Sequence, residues 1–245
     1  MTTAAPRHKL PPPPESHHRD IQGGAARAAV LGVSDGLVTN VSLILGVAGA
    51  NTAGGVGTVR LAGLAGLLAG AFSMAAGEYV SMKAQSELLE RELEMEAIEL
   101  RRAPDAERAE LAQLYESRGV DPDTAGELAG EMMRTPELAL ETHAREELGV
   151  DPNSLGNPYQ AAGASAASFA LGALVPLVPW FLTQGALAVA VSMVLGAVAA
   201  ILIGVALARY TGRSPVASSI RQLLVTVAAA GVTYGVGAAV GTRIS

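Results

Sequence analysis

The sequence predicts an all-α membrane protein with five transmembrane helices and an acidic helical domain inserted between the second and the third. Five apolar stretches are long enough to cross the hydrocarbon core of a bilayer, which takes about 20 residues in a helix. The composition is 50% hydrophobic but only 4% aromatic and includes 28 glycines, as in closely packed transmembrane helices. In addition, 18 of the 23 acidic residues lie within residues 84–150, where seven arginines leave a net charge of −11.

The apolar stretches give the order of the elements. They cover residues 25–50, 59–82, 161–182, 185–208 and 222–240. We therefore divide the chain into a disordered cytosolic tail (1–24), transmembrane helices one and two (25–83), a cytosolic acidic helical metal-binding domain (84–152) and transmembrane helices three to five (153–245). The tail contains a four-proline run and lacks the apolar core of a signal peptide.

The distribution of lysine and arginine predicts the orientation. Basic residues precede the first stretch and follow the fourth, at Arg7, Lys9, Arg19, Arg27, Arg209, Arg213 and Arg221, whereas the loop after the first stretch offers only Arg60. Because basic loops stay on the cytosolic side, we expect the N-terminus and the acidic domain in the cytosol. The Ala/Gly-rich composition favours a bacterial plasma (inner) membrane.

Four helices are expected in the acidic domain, with ends marked by capping residues. The first continues from span two to about Arg102, the second is capped by Asp105, the third starts at Asp121-Pro122, and the fourth runs from Thr135-Pro136 to Gly149. The turn near Pro104 folds the second helix back on the first. Residues near that turn are therefore expected to approach one another.

Six residues of these helices are candidate metal ligands: Glu96, Glu99, Glu107, Glu110, His143 and Glu147. The four glutamates nearest the turn form two pairs spaced three apart, so each pair shares a helix face. His143 and Glu147 are four apart on the last helix. Carboxylates with one imidazole suit Fe²⁺ or Mn²⁺. However, glutamate runs on helices are more often solvated surfaces, and spacing alone leaves both interpretations open.

Two carboxylates lie inside the apolar stretches, Asp35 in the first and Glu78 in the second. A carboxylate at membrane depth costs several kcal/mol unless it pairs, coordinates an ion or faces water, and therefore predicts function. Met74 precedes Glu78 by one helical turn, and a thioether beside a carboxylate can hold a transition ion reversibly. The alternative is structural: methionine fills packing gaps, and Glu78 pairs with Lys83.

The sequence resembles the vacuolar iron transporter family. The resemblance lies in GVSDGLVTNVSLILGVAGA, GAFSMAAGEYVSMKAQ, the glutamate-rich insert, LGALVPLVPWF and ARYTGRSP, in that order. It implies a homodimer of five-span subunits in the lipid bilayer that exports Fe²⁺, and also Mn²⁺, in exchange for protons. It also implies that Asp35 and Met74 line the ion pathway, and that Glu96, Glu99, Glu107, Glu110 and Glu147 bind metal.

The sequence departs from the family pattern at three places. His143-Ala144 stands where plant members have a methionine pair, and Gly66 where they have a glutamate. Glu78 occupies a position where plant members have glycine, so we expect it to take over the role of the missing carboxylate. We expect no catalytic residues, organic cofactor or nucleic-acid partner. A membrane-tethered di-iron ferroxidase and a non-transporting metal sensor remain as alternatives.

Overall fold

The computed structural model describes residues 24–50, 55–152 and 156–244, and these residues form helices joined by turns, without a strand. The helices are α1 (Gly24–Gly49), α2 (Gly55–Arg102), α3 (Pro104–Ser117), α4 (Pro122–Met132), α5 (Pro136–Glu146), α6 (Pro158–Leu177), α7 (Pro179–Leu182), α8 (Gly185–Thr211) and α9 (Pro215–Ile244). Residues 1–23 of the predicted tail (1–24) lie outside the described residues, and Gly24 is the first residue of α1. The all-α fold class is confirmed.

Five of these helices are long and apolar enough to cross a membrane: α1, the first part of α2, α6, α8 and α9. The predicted number of spans is therefore confirmed. The fifth helix begins at Pro215, seven residues before the predicted start at 222, because a helix continues through polar residues such as Arg221 that apolarity alone excludes. Pro215 suits a first helical position, since it lacks the N–H that would be unpaired there.

The third span is broken near its end, where the sequence contains two prolines. Helix α6 runs through Pro176 and ends at Leu177, and the short helix α7 starts at Pro179. The hydroxyl of Ser192 on α8 donates to the carbonyl of Pro176 at 2.7 Å, and that of Thr183 donates to the carbonyl of Pro179 at 2.9 Å. The Ser192 hydroxyl thus pairs the Pro176 carbonyl near the break in the helix, and the Pro179 carbonyl accepts from both the hydroxyl and the backbone N–H of Thr183.

Glycines bring α1 and α6 into close contact. A Cβ at Gly36 would lie 2.0 Å from the carbonyl oxygen of Phe169, and one at Gly172 would lie 2.2 Å from the carbonyl oxygen of Val33. The ring of Phe169 also meets Gly70 of α2, where a Cβ would lie 2.1 Å from its tip. Phe169 therefore holds α1 and α2 at a common level, with Gly36 on one side and Gly70 on the other.

Helix α2 joins the membrane part of the chain to the acidic domain without interruption, as predicted. Its 48 residues extend about 72 Å at about 1.5 Å per residue. After it, α3 packs on α4 around Leu111, Tyr115, Ala125 and Ala129, and α5 packs back on α2. One continuous helix therefore connects the membrane part of the chain directly to the acidic domain.

Two predicted helix ends in the acidic domain are corrected. Asp105 does not cap α3, because the helix already begins at Pro104 and Asp105 therefore lies inside its first turn. The N-cap is Ala103, whose side chain makes no hydrogen bond. Helix α5 ends at Glu146, three residues before the predicted end at Gly149. The other two caps are as predicted, since Asp121 accepts from the N–H of Thr124 at 3.1 Å and Thr135 from that of Leu138 at 3.2 Å.

Candidate metal site and membrane carboxylates

Three helices of the acidic domain bring three candidate ligands to one point. A carboxylate oxygen of Glu96 on α2, one of Glu107 on α3 and a ring nitrogen of His143 on α5 all lie within 4.8 Å of one another. The turn at Pro104 places the first turn of α3 against the end of α2. The packing of α5 on α2 then closes the third side of the group.

Burial distinguishes the members of this group. His143 is fully buried and Glu96 is only 7% exposed, whereas Glu99 and Glu110 are exposed at the edge. Oε1 of Glu96 and Nε2 of His143 are both buried and have no hydrogen-bond partner in the described part of the protein. Buried polar atoms are nearly always paired with protein or an ordered ligand. These two atoms therefore favour an occupant that the protein itself does not supply.

The remaining candidate ligands lie around this group. Oε1 of Glu147 is 3.8 Å from Nε2 of His143, and the side chain of Glu147 is 24% exposed. We call the six residues the carboxylate cluster: Glu96, Glu99, Glu107, Glu110, His143 and Glu147. The structure thus brings Glu96, Glu107, His143 and Glu147 together, while Glu99 and Glu110 stay exposed and act on the others through their charge.

The electrostatics of the carboxylate cluster favour a cation. Burial raises the pKa of Glu96 to about 7, and the negative charge of Glu147 adds to the effect, while His143 opposes it. Burial also raises the pKa of Glu107, with further contributions from Glu110 and Glu99. The pKa of Glu147 is raised for the same reason, and again His143 opposes the shift. A divalent cation would relieve this repulsion, and protons do so in its absence.

Acids outside the carboxylate cluster have ordinary surface partners. Glu87 pairs with Lys83 at 3.4 Å, Glu131 with Arg134 at 3.2 Å and Glu141 with Arg145 at 2.6 Å. These exposed pairs contribute little to stability. They support the solvated-surface interpretation for that part of the acidic residues, and they show that Lys83 makes an ion pair with Glu87.

The membrane residues Asp35, Met74 and Glu78 occupy different environments. Asp35 is exposed on the outer surface of the protomer and accepts a hydrogen bond from the hydroxyl of Thr39 at 3.1 Å. Met74 is half-buried and packs beside the apolar cluster that contains Phe169. Glu78, one turn further along α2, is also half-buried. Asp35 directly precedes Gly36 and Met74 lies one turn after Gly70, and both glycines lie against Phe169.

Sequence reasoning missed other polar groups inside the membrane part. Asn40 is fully buried, and its amide donates to the carbonyl of Ala173 at 2.7 Å. The amide of Gln222 on α9 donates to the hydroxyl of Ser34 at 2.7 Å. Each tethers α1 to a neighbouring helix. The signal was the density of polar residues in α1, which was interpreted only through Asp35.

A VIT-family profile matches residues 26–238. The chain belongs to the VIT family. It is 32% identical to "Vacuolar iron transporter 1" of Oryza sativa subsp. japonica, over 94% of this chain and 90% of that protein. It is 32% identical to "Vacuolar iron transporter 1" of Eucalyptus grandis over 89% and 87% of the two chains. It is also 42% identical to "Vacuolar iron transporter" of Acanthamoeba castellanii, over 65% of this chain and 58% of that one.

The VIT-family match runs from α1 through most of α9. It therefore contains the whole acidic domain, the carboxylate cluster and all three membrane candidates. The family that the sequence motifs suggested is confirmed.

Proposed function

We propose that this VIT-family protein is a transporter that exports Fe²⁺, and also Mn²⁺, from the cytosol across the plasma membrane in exchange for protons. One observation carries the proposal: Glu96, on the long helix α2 whose first part is apolar enough to cross a membrane, converges with Glu107 of α3 and the buried His143 of α5. Relatives over most of its length are named iron transporters. A transporter of this kind performs no chemistry on its substrate and needs no catalytic residue.

Capture of the ion follows from the properties of the carboxylate cluster. Glu99 and Glu110 at the exposed edge attract the hydrated cation, and the buried oxygen of Glu96 and the partly buried carboxylate of Glu107 replace part of its water. Because the pKa of Glu96 is about 7, a proton leaves as the metal enters. The basic loops favour a cytosolic position for this domain, on the side from which the ion is exported.

Passage through the membrane involves Asp35, Met74 and Glu78. Asp35 lies on the surface of the protomer, where facing lipid would cost several kcal/mol. A second copy of the chain packed against this surface removes that cost and encloses a polar route. We therefore place the pathway at the interface of a homodimer, with the Met74 thioether and the Glu78 carboxylate as reversible ligands near the same depth.

Proton exchange uses the same carboxylates that hold the ion along the membrane pathway. On the outer side, a lower pH protonates the acids that hold the ion and so releases it. The protons then return to the cytosol when the pathway opens inward. Export against a gradient of Fe²⁺ is driven in this way by the inward movement of protons.

The test is uptake of Fe²⁺ by liposomes that contain the purified protein, assayed anaerobically with and without a pH gradient. We expect uptake only with the gradient, and we expect Asp35→Ala to abolish it. Glu127→Gln, an exposed change on α4, is the matched control and should transport normally. Uptake that ignores the gradient, or that persists at wild-type rate in Asp35→Ala, would contradict the proposal.

The ferroxidase alternative is less well supported by the site. Di-iron carboxylate bundles use two Glu-x-x-His motifs, and the acidic domain contains one histidine, His143. A sensor without transport leaves the membrane carboxylates unexplained. Oxygen consumption on Fe²⁺ addition supports the first of these alternatives, and metal binding without any uptake supports the second.

A further inference from the structure

The imidazole of His143 is held in one orientation. Its Nδ1 lies 2.9 Å from the carbonyl oxygen of Ala139, one helical turn earlier. A carbonyl only accepts hydrogen bonds, so Nδ1 carries the proton. In the neutral ring the lone pair is then on Nε2. This is the arrangement in which metal-binding histidines are commonly fixed by a backbone carbonyl.

The lone pair of Nε2 faces acids and has no protein donor. Nε2 is buried, lacks a hydrogen-bond partner in the described residues, and lies 3.8 Å from Oε1 of Glu147. One oxygen each of Glu96 and Glu107 lies within 4.8 Å of a ring nitrogen of His143. Ligands at about 2.0–2.2 Å from a metal are themselves roughly 3–4 Å apart. Small side-chain movements therefore bring all three donors onto one ion.

Carboxylates alone would not discriminate between cations. Oxygen ligands suit Mg²⁺, Ca²⁺ and Mn²⁺, whereas imidazole suits iron and zinc. Divalent affinity for a given site also rises from Mn²⁺ to Fe²⁺ and beyond. The nature of the one nitrogen donor thus decides which ions the carboxylate cluster prefers.

We propose that Nε2 of His143 is a direct metal ligand that makes the carboxylate cluster prefer Fe²⁺ to Mn²⁺, Mg²⁺ and Ca²⁺. This rests on the proposed function in treating the cluster as the capture site for the transported ion. The other interpretation is a protonated His143 that pairs with Glu147 and touches no metal. The two interpretations differ in what the nitrogen does when an ion is bound.

The first experiment is pulsed EPR on the wild-type full-length protein loaded with substoichiometric Mn²⁺. We expect a ¹⁴N coupling from one directly bound imidazole, and we expect it to be absent in His143→Gln. His17→Gln, which removes a histidine from the N-terminal segment, should leave the coupling unchanged. A bound Mn²⁺ without nitrogen coupling in the wild-type protein overturns the proposal, whether or not any variant folds.

The second experiment is anaerobic competition between Fe²⁺ and Mn²⁺ for the purified full-length protein. In His143→Gln, Fe²⁺ affinity should fall by at least about tenfold, because the loss of an outer-shell partner of a ligand already costs roughly that much. Mn²⁺ affinity should fall less, so the preference of the protein for Fe²⁺ over Mn²⁺ becomes smaller. Glu141→Gln on the same helix, whose partner is Arg145, should keep the wild-type preference. A preference unchanged in His143→Gln contradicts the proposal.

The outcomes separate this inference from the proposed function. If Fe²⁺ uptake by liposomes persists in the wild-type protein while His143→Gln leaves the Fe²⁺ to Mn²⁺ preference unchanged, the ligand assignment is wrong and the transport proposal stands. If the wild-type protein neither binds a divalent ion at the cluster nor takes up Fe²⁺, both are wrong.

Discussion

Glu96 shows how its surroundings set the chemistry of a single residue. It is one of six glutamates along the acidic-domain part of α2, yet it is 7% exposed while Glu99, three residues later, is exposed. Burial first, and the charge of Glu147 second, raise its pKa to about 7. In the unfolded chain it would titrate at the ordinary value of about 4.3. The folded protein therefore holds a proton that the unfolded chain has released at neutral pH.

We predict that Glu96→Gln stabilises the metal-free protein at pH 8. Between pH of about 4.3 and 7 the folded state binds more protons at this site, so wild-type stability falls as pH rises through this window. Glutamine carries no charge, so Glu96→Gln should lack the part of the pH dependence of stability that is due to Glu96. Thermal unfolding at pH 5 and pH 8 with a chelator measures this, with Glu127→Gln as control. Equal slopes in wild-type and variant protein would exclude the buried-carboxyl explanation.

At the scale of the helices, glycines fix how closely α1 and α6 approach, while α2 carries the connection to the acidic domain. A Cβ at Gly36 would meet the backbone of Phe169, which cannot move away as a flexible side chain can. A Cβ at Gly231 on α9, in contrast, would meet no atom of the described residues within 4 Å apart from its own helix backbone. Both are helical glycines in membrane spans, so they form a matched pair in which only the neighbour differs.

Gly36→Ala should destabilise the membrane part by the roughly 1–3 kcal/mol typical of overpacking, or more, since the clash is with backbone. Gly231→Ala should be neutral or slightly stabilising, because alanine favours the helix by roughly 0.5–1 kcal/mol. Thermal unfolding of both variants in the same detergent measures the difference. Equal melting temperatures would show that α1 and α6 are less closely packed than described.

The continuity of α2 leads to a prediction about coupling. Gln85 is exposed just beyond the membrane part, and Gln85→Pro removes one backbone hydrogen bond and kinks the helix at a cost of about 3 kcal/mol. We expect metal binding by the carboxylate cluster to persist while Fe²⁺ uptake by liposomes falls. Gln85→Ala is the control and should transport normally. Normal uptake by the proline variant would mean that the acidic domain delivers ions without a rigid link.

At the scale of the whole molecule, the exposed position of Asp35 requires a cover that one protomer does not provide. Leu31 lies one turn before Asp35 on the same face of α1 and is 55% exposed. Leu202 on α8 is 63% exposed and apolar, as expected of a side chain that faces lipid. In the proposed homodimer, Leu31 lies in the interface and Leu202 stays in contact with the bilayer.

The chain contains no cysteine, so single cysteines report this difference directly. In membranes treated with a mild oxidant or a short bifunctional reagent, Leu31→Cys should give a covalent dimer and Leu202→Cys should stay monomeric. Comparable cross-linking of both, or of neither, would argue against a dimer interface at Asp35. The readout is the apparent mass on a non-reducing gel.

The sequence predicts the five spans, the continuous α2 and most helix starts in the acidic domain. These features depend on the length and apolarity of single segments and on capping by adjacent residues, which a local pattern records. The predicted N-cap at Asp105 is wrong, because α3 already begins at Pro104. The sequence also could not show that Glu96 is buried while Glu99 is exposed. The packing of the helices shows which carboxylate is buried, that Nε2 of His143 has no hydrogen-bond partner among the described residues, and that Asp35 lies on the protomer surface. These properties depend on contacts between helices that are distant in the chain, and no local pattern records them.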